Sequence, residues 1–88
     1  MYTELSRTEL DSRLRTVIAS ILGVSAEEID ENERFVEAYG GDSMSSIEVL
    51  ARVESEFDVE IAEESLPRLT TLGATREVLL EALANLDH

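Results

Sequence analysis

Residues 39–61 read YGGDSMSSIEVLARVESEFDVEI, and this stretch decides how the rest of the chain is organised. Two glycines let the backbone turn. Asp42 stands where its side-chain oxygen would accept a backbone N–H two or three residues on, which is what a helix N-cap does. From there Ile47, Leu50, Val53 and Phe57 recur at helical spacing. They predict an amphipathic helix that begins near Asp42 and buries these four residues. Glu48, Arg52, Ser55 and Glu56 fall mostly off that stripe, and so does Met44. Asp58-Val59-Glu60-Ile61 ends the helix in an extended run with no second strand to pair with.

Helical signals continue on both sides. Ser6-Arg7-Thr8-Glu9 fits a capping box, with Leu5 and Leu10 placed for a hydrophobic staple. Leu10, Leu14, Val17, Ile18 and Ile21 then share one face, and Gly23 supplies the stop. Ser25-Ala26-Glu27-Glu28 reads as a short turn of helix. The rest of residues 24–41 shows no sustained period, so Ile29, Phe35, Val36 and Tyr39 are read as points that pin a long loop to the core. A loop of this length in so small a domain is often functional. Residues 62–69 hold one or two helical turns, kept short or irregular by Pro67. Thr71 is the expected N-cap of a last helix whose core face is Val78, Leu79, Ala82, Leu83 and Leu86.

The expected fold is all-α: three longer helices and one short one, with a long first connection, packed as a four-helix bundle. At 88 residues the chain is one domain, with its core over about 5–86. Aromatic residues are 5% of the chain and Trp is absent, so the core must be built from Leu, Ile, Val and Ala. Starting at Met1 and filled by one domain, it is expected to be free-standing and monomeric.

Charge and composition narrow the function. The net charge is −13, and all seven bases are Arg. Nucleic acid and anionic membrane surfaces need clustered cations and are poor partners. Proteins with basic patches are the natural ones, because the field steers them together. The plainer reading is that acidity keeps a small protein soluble. Cys is absent, which removes disulfides, thiolate chemistry and cysteine-bound zinc. No apolar run approaches the roughly 18–20 residues that span a bilayer. MYTELSRTEL has no signal-peptide pattern, so a cytoplasmic protein is expected.

Ser43 has three readings. Gly41-Asp42-Ser43-Met44 is close to the Gly-Asp-Ser-Leu signature of one esterase family. A serine nucleophile needs a base held by a third group, and the one histidine, His88, is the last residue. Residues 41–45, GDSMS, also lack the second glycine of a nucleophile elbow. The second reading is structural: Asp42 caps the helix and Ser43 is an ordinary first-turn residue. The third is that Ser43 is an attachment point. For metals, Asp30-Glu31-Asn32-Glu33-Arg34 begins like a calcium loop, but Arg34 stands at a ligand position and Phe35 replaces the required glycine. No metal site is expected.

Residues 35–61 resemble the acyl carrier protein family. The likeness rests on Asp42-Ser43-Met44 opening a helix, on Glu48 within it, and on Phe57-Asp58 with Ile61 closing it. Gly23-Val24 and Thr70-Thr71-Leu72-Gly73 extend it over nearly the whole chain. The resemblance implies that Ser43 accepts 4′-phosphopantetheine from coenzyme A, with Asp42 and Met44 beside it. A separate Mg²⁺-dependent phosphopantetheinyl transferase would supply the catalysis. The arm's thiol would carry acyl or aminoacyl groups as thioesters, and the protein would catalyse nothing itself. Its partners would be loading enzymes and ketosynthase or condensation-type enzymes with basic patches. They would meet Met44, Glu48, Arg52, Glu54 and Ser55, since eight acids lie between Asp42 and Glu64 against the single base Arg52.

Departures from the common pattern bear on the pathway. Ser45 stands where fatty-acid carriers usually place an acid, Arg52 interrupts the acidic face, and Gly40-Gly41 resembles carriers of polyketide and nonribosomal peptide pathways. A discrete natural-product carrier is the leading expectation. Alternatives are a fatty-acid carrier, a D-alanyl carrier (Asp-Ser-Met also occurs there), and an acidic helical interaction module without cofactor.

Overall fold

The computed structural model describes residues 6–40 and 43–85, apart from the side chains of Tyr39 and Ser43. Four α-helices follow in order: α1 Arg7–Leu22, α2 Phe35–Tyr39, α3 Ser43–Phe57 and α4 Leu72–Asn85. Short 3₁₀ turns occupy Ala26–Glu28 and Glu63–Arg68. No strand occurs among the described residues, so the FDVEI run stays unpaired.

α1 starts where its capping signal lies. The Ser6 hydroxyl accepts the Glu9 N–H at 3.1 Å. Glu9 turns its carboxylate to that hydroxyl, at 3.4 Å, rather than to the Ser6 N–H, so only half of the capping box forms. The Leu5 staple lies outside the described residues. At the other end Gly23 adopts φ 75°, and the N–H groups of Gly23 and Val24 both bond the Ala19 carbonyl. Leu10, Leu14, Val17 and Ile18 are buried as expected, with Ile21 packed at their edge.

The connection from α1 to α3 is more structured than its sequence suggests. Ser25 donates both its N–H and its hydroxyl to the Glu28 carboxylate, which fixes the first 3₁₀ turn. Ile29 and Phe35 are buried pins. Val36 is not: it is 59% exposed, because α2 turns it outward while Phe35 goes in. The expectation for Tyr39 lies outside the described side chains. α2 itself was not foreseen, since a five-residue helix shows barely one turn of periodicity. It is the short α-helix of the bundle, while the segment with Pro67 is the 3₁₀ turn Glu63–Arg68.

α3 requires a second correction. Its buried face is Val49, Val53 and Phe57, with Leu50 partly buried, and Ile47 is 50% exposed. At about 100° per residue, Ser46, Val49, Leu50, Val53 and Phe57 cluster on one side, and Ile47 lies roughly 100° from its centre. The helix ends with Asp58 at φ 54°. Val59 and Ile61 then tuck into the core, and the Ile61 N–H donates to the Glu54 carboxylate at 2.8 Å. α4 opens under the expected cap, with the Ala74 N–H donating to the Thr71 hydroxyl at 3.1 Å. Val78, Leu79 and Ala82 are buried and Leu83 is partly so; Leu86 lies outside the described residues.

A polar brace holds the long connection. Arg15 donates to the Ile29 carbonyl at 2.7 Å and to Asp11 at 2.9 Å. Arg76 of α4 pairs with Asp11 and, at 3.0 Å, with Glu31. The Glu31 carbonyl accepts the Gly73 N–H, and a Cβ on Gly73 would stand 3.3 Å from the Glu31 side chain. Glycine at 73 therefore allows this close approach.

Candidate functional site

Ser43 is the first residue of α3, a helix of fifteen residues with no acid in its first turn. The exposed N–H groups and aligned peptide dipoles of such a helix start favour a negative group. Two features position this start. Gly40, at φ 74°, ends α2 and redirects the chain. One turn into α3, the Ser46 hydroxyl donates to the Leu69 carbonyl at 3.4 Å. The neighbouring Thr70 carbonyl accepts the Phe35 N–H at 2.9 Å, so one short backbone segment supports the starts of both α2 and α3. Gly41, Asp42 and the Ser43 side chain lie outside the described residues, so the cap expected from Asp42 does too.

Hydrolase chemistry has little to build on. The one histidine of the chain, His88, lies outside the described residues. No group of three or more His, Cys, Asp or Glu side chains among the described residues is placed to hold a metal ion. The groove between α1 and the first 3₁₀ turn is lined by Thr8, Asp11, Ser12, Arg15, Ala26 and Glu27, and none of these comes from α3.

The residues expected to meet partners separate into two groups. Met44, Glu48, Arg52 and Ser55 are exposed on the outer side of α3. Glu54 sits on its flank, where its carboxylate is engaged by the Ile61 N–H. Glu56 lies on the other flank and pairs with Arg13 of α1 at 2.9 Å. Arg52 reaches across to the Ser20 hydroxyl of α1 at 3.1 Å. Ile47 joins the outer side beside Met44, which is 61% exposed. The stripe assigned from sequence had hidden Ile47. The signal that finds it is the strict four-residue spacing of Val49, Val53 and Phe57.

The family described as phosphopantetheine attachment site matches residues 12–79, a span that contains all of α3. The chain belongs to the phosphopantetheine-binding acyl carrier family. A chain in the solved structure of the ishigamide ketosynthase/chain length factor is 32% identical to this carrier and superposes with a TM-score of 0.71. The match covers 86% of the carrier and 96% of that chain, so the two are of similar length.

Membership implies a covalently attached phosphopantetheine, and carrier domains of this kind are not themselves catalytic. The start of α3 fits such a group, with a hydroxyl residue at its first position, no first-turn acid to repel a phosphodiester, and exposed apolar side chains one turn on. Among the described residues no helix is long and apolar enough to cross a membrane.

Proposed function

We propose that Ser43 is the attachment residue and that the protein is a discrete carrier in polyketide or nonribosomal peptide biosynthesis. The observation that carries this reading is the placement of Ser43 at the first position of α3, inside the matched span. Ser43 Oγ becomes the bridging oxygen of a phosphodiester when a separate Mg²⁺-dependent transferase delivers phosphopantetheine from coenzyme A. The group, once bound, supplies a thiol that holds acyl or aminoacyl cargo as a thioester. The helix start stabilises the phosphodiester charge by about 0.3–1 kcal/mol, which orients the arm without trapping it. Such an arm lets a domain of only 88 residues work without a cavity of its own, by delivering cargo into other enzymes.

Its partners on this reading are a phosphopantetheinyl transferase, a loading enzyme, and ketosynthase or condensation-type enzymes with basic patches. The likeness to a chain in a ketosynthase/chain length factor structure supports the polyketide side. Fatty-acid and D-alanyl carriers remain the alternatives within the class. The exposed acids after α3, Glu60, Glu63 and Glu64, together with the net charge of −13, supply long-range steering.

The test is an intact mass after incubation with coenzyme A and a broad-specificity transferase. The wild type gains one phosphopantetheine and Ser43→Ala gains none. An unmodified wild type would sink the reading and leave the interaction module without cofactor.

A further inference from the structure

We propose that the outer face of α3 docks on an enzyme surface offering an apolar hollow for Met44, Ile47 and Ala51 and a carboxylate for Arg52. This deepens the carrier reading and rests on it. The outer face is far less acidic than its sequence suggests. Of the acids between Ser43 and Phe57, Glu54 is taken by the Ile61 N–H and Glu56 by Arg13. Glu48 is the acid left on the exposed row. Two of the three large exposed hydrophobic residues described, Met44 and Ile47, lie there one turn apart, and exposed Ala51 continues their line. Beside that apolar line run Glu48, Arg52 and Ser55.

Arg52 is the charged group that sets the partner's chemistry. Five of the seven arginines have a carboxylate within 4.0 Å: Arg13, Arg15, Arg34, Arg68 and Arg76. Arg52 has none among the described residues, although Glu48 stands one turn before it. Its guanidinium is turned instead to the Ser20 hydroxyl of α1, which engages one N–H and holds the planar fork in place. The remaining donors suit a carboxylate in bidentate geometry. Nine residues at 1.5 Å each place Arg52 about 13 Å along the helix axis from Ser43. The partner's carboxylate therefore lies about that far from the mouth through which the arm enters. Because the protein's overall field repels acidic surfaces, that carboxylate is a local group in an otherwise apolar or basic surround.

The two kinds of charge act on different rate constants. Long-range steering by Glu60, Glu63 and Glu64 governs association, whereas a close pair governs dissociation. The experiment first confirms by intact mass that wild type and variants load. It then measures association and dissociation rates on the immobilised ishigamide ketosynthase/chain length factor, used as the probe, by surface plasmon resonance. Arg52→Glu is expected to raise the dissociation rate by about tenfold or more, as loss of a close interfacial charge pair does. Arg52→Lys stays closer to wild type, Ile47→Ser also dissociates faster, and Glu48→Gln changes little. Equal or tighter binding by Arg52→Glu, weaker binding by Glu48→Gln, or no wild-type complex would overturn the proposal. A chain that never loads would instead sink the carrier reading, and the two failures are told apart by the mass.

Discussion

At Gly23 the backbone holds φ at 75°, and a Cβ built there meets nothing within 4 Å. Any cost of a side chain at this position is therefore backbone strain alone, not a clash. The left-handed region costs an L-residue about 1–2 kcal/mol, partly offset by the smaller entropy an alanine loses on folding. Gly23→Ala is expected to destabilise the carrier by about 1 kcal/mol, read from the midpoint of urea unfolding. A neutral result would mean that α1 unwinds its last turn instead. Asp58 sits in the same region at φ 54°, tolerated because short polar side chains visit it more readily than others do. Gly23 was legible as a helix stop in the sequence, since glycine after an apolar helical run has one common use. Asp58 was not, because aspartate has many uses and nothing local marks this one.

Elements carry their own lesson about what a sequence reveals. α1 and α4 were readable because cap and periodicity agree: Ser6 and Thr71 open them where their apolar faces begin. α3 was readable as a helix but not in its rotation. Ile47 and Val49 are both apolar, and only contact with α1 and the Leu69 segment decides which one goes in. The brace between α1, the first connection and α4 left no local trace, because Asp11 and Arg76 are 65 residues apart in the chain. Its energetics follow from its partners. Burial pushes the Asp11 carboxyl up, but hydrogen bonds from Arg15 and Arg76 outweigh it and hold it below its ordinary value. The hydrogen bond from Arg76 likewise holds Glu31 down. For carboxyls lowered by folding, the stabilisation is present above the unfolded-state values near pH 4 and is lost as pH falls through the folded ones. Arg76→Ala is expected to cost about 1–3 kcal/mol at pH 7, the range for hydrogen bonds to charged groups. The gap from wild type should shrink by more than half near pH 3, where both carboxyls are protonated. Urea unfolding at several pH values checks this. A gap that stays constant would assign the role of Arg76 to the packing of its stem.

The whole molecule sets acids against one another over a body measuring 37 × 27 × 19 Å. Twenty acids face seven arginines, so most long-range pairs are repulsive. The attractive pairs are short, at 2.9 Å for Arg13 with Glu56 and for Arg68 with Glu81. Raising ionic strength from about 0.01 M to about 0.15 M shortens the Debye length from about 30 Å to about 8 Å. At the lower value each acid feels the others across the whole domain; at the higher it feels its neighbours. Pairs at hydrogen-bond distance lie well inside either length and are screened much less. Salt should therefore remove more repulsion than attraction and stabilise the fold, although it weakens surface ion pairs taken singly. A gain of about 1 kcal/mol corresponds to a rise in Tm of about 4–8 °C for a domain of this size. Arg52→Glu, which makes the charge more negative by two, should start lower at low salt and climb more steeply. Thermal unfolding of both proteins across that salt range is the measurement. A Tm that falls with added salt would show that the ion pairs, and not the net charge, dominate the electrostatics of this carrier.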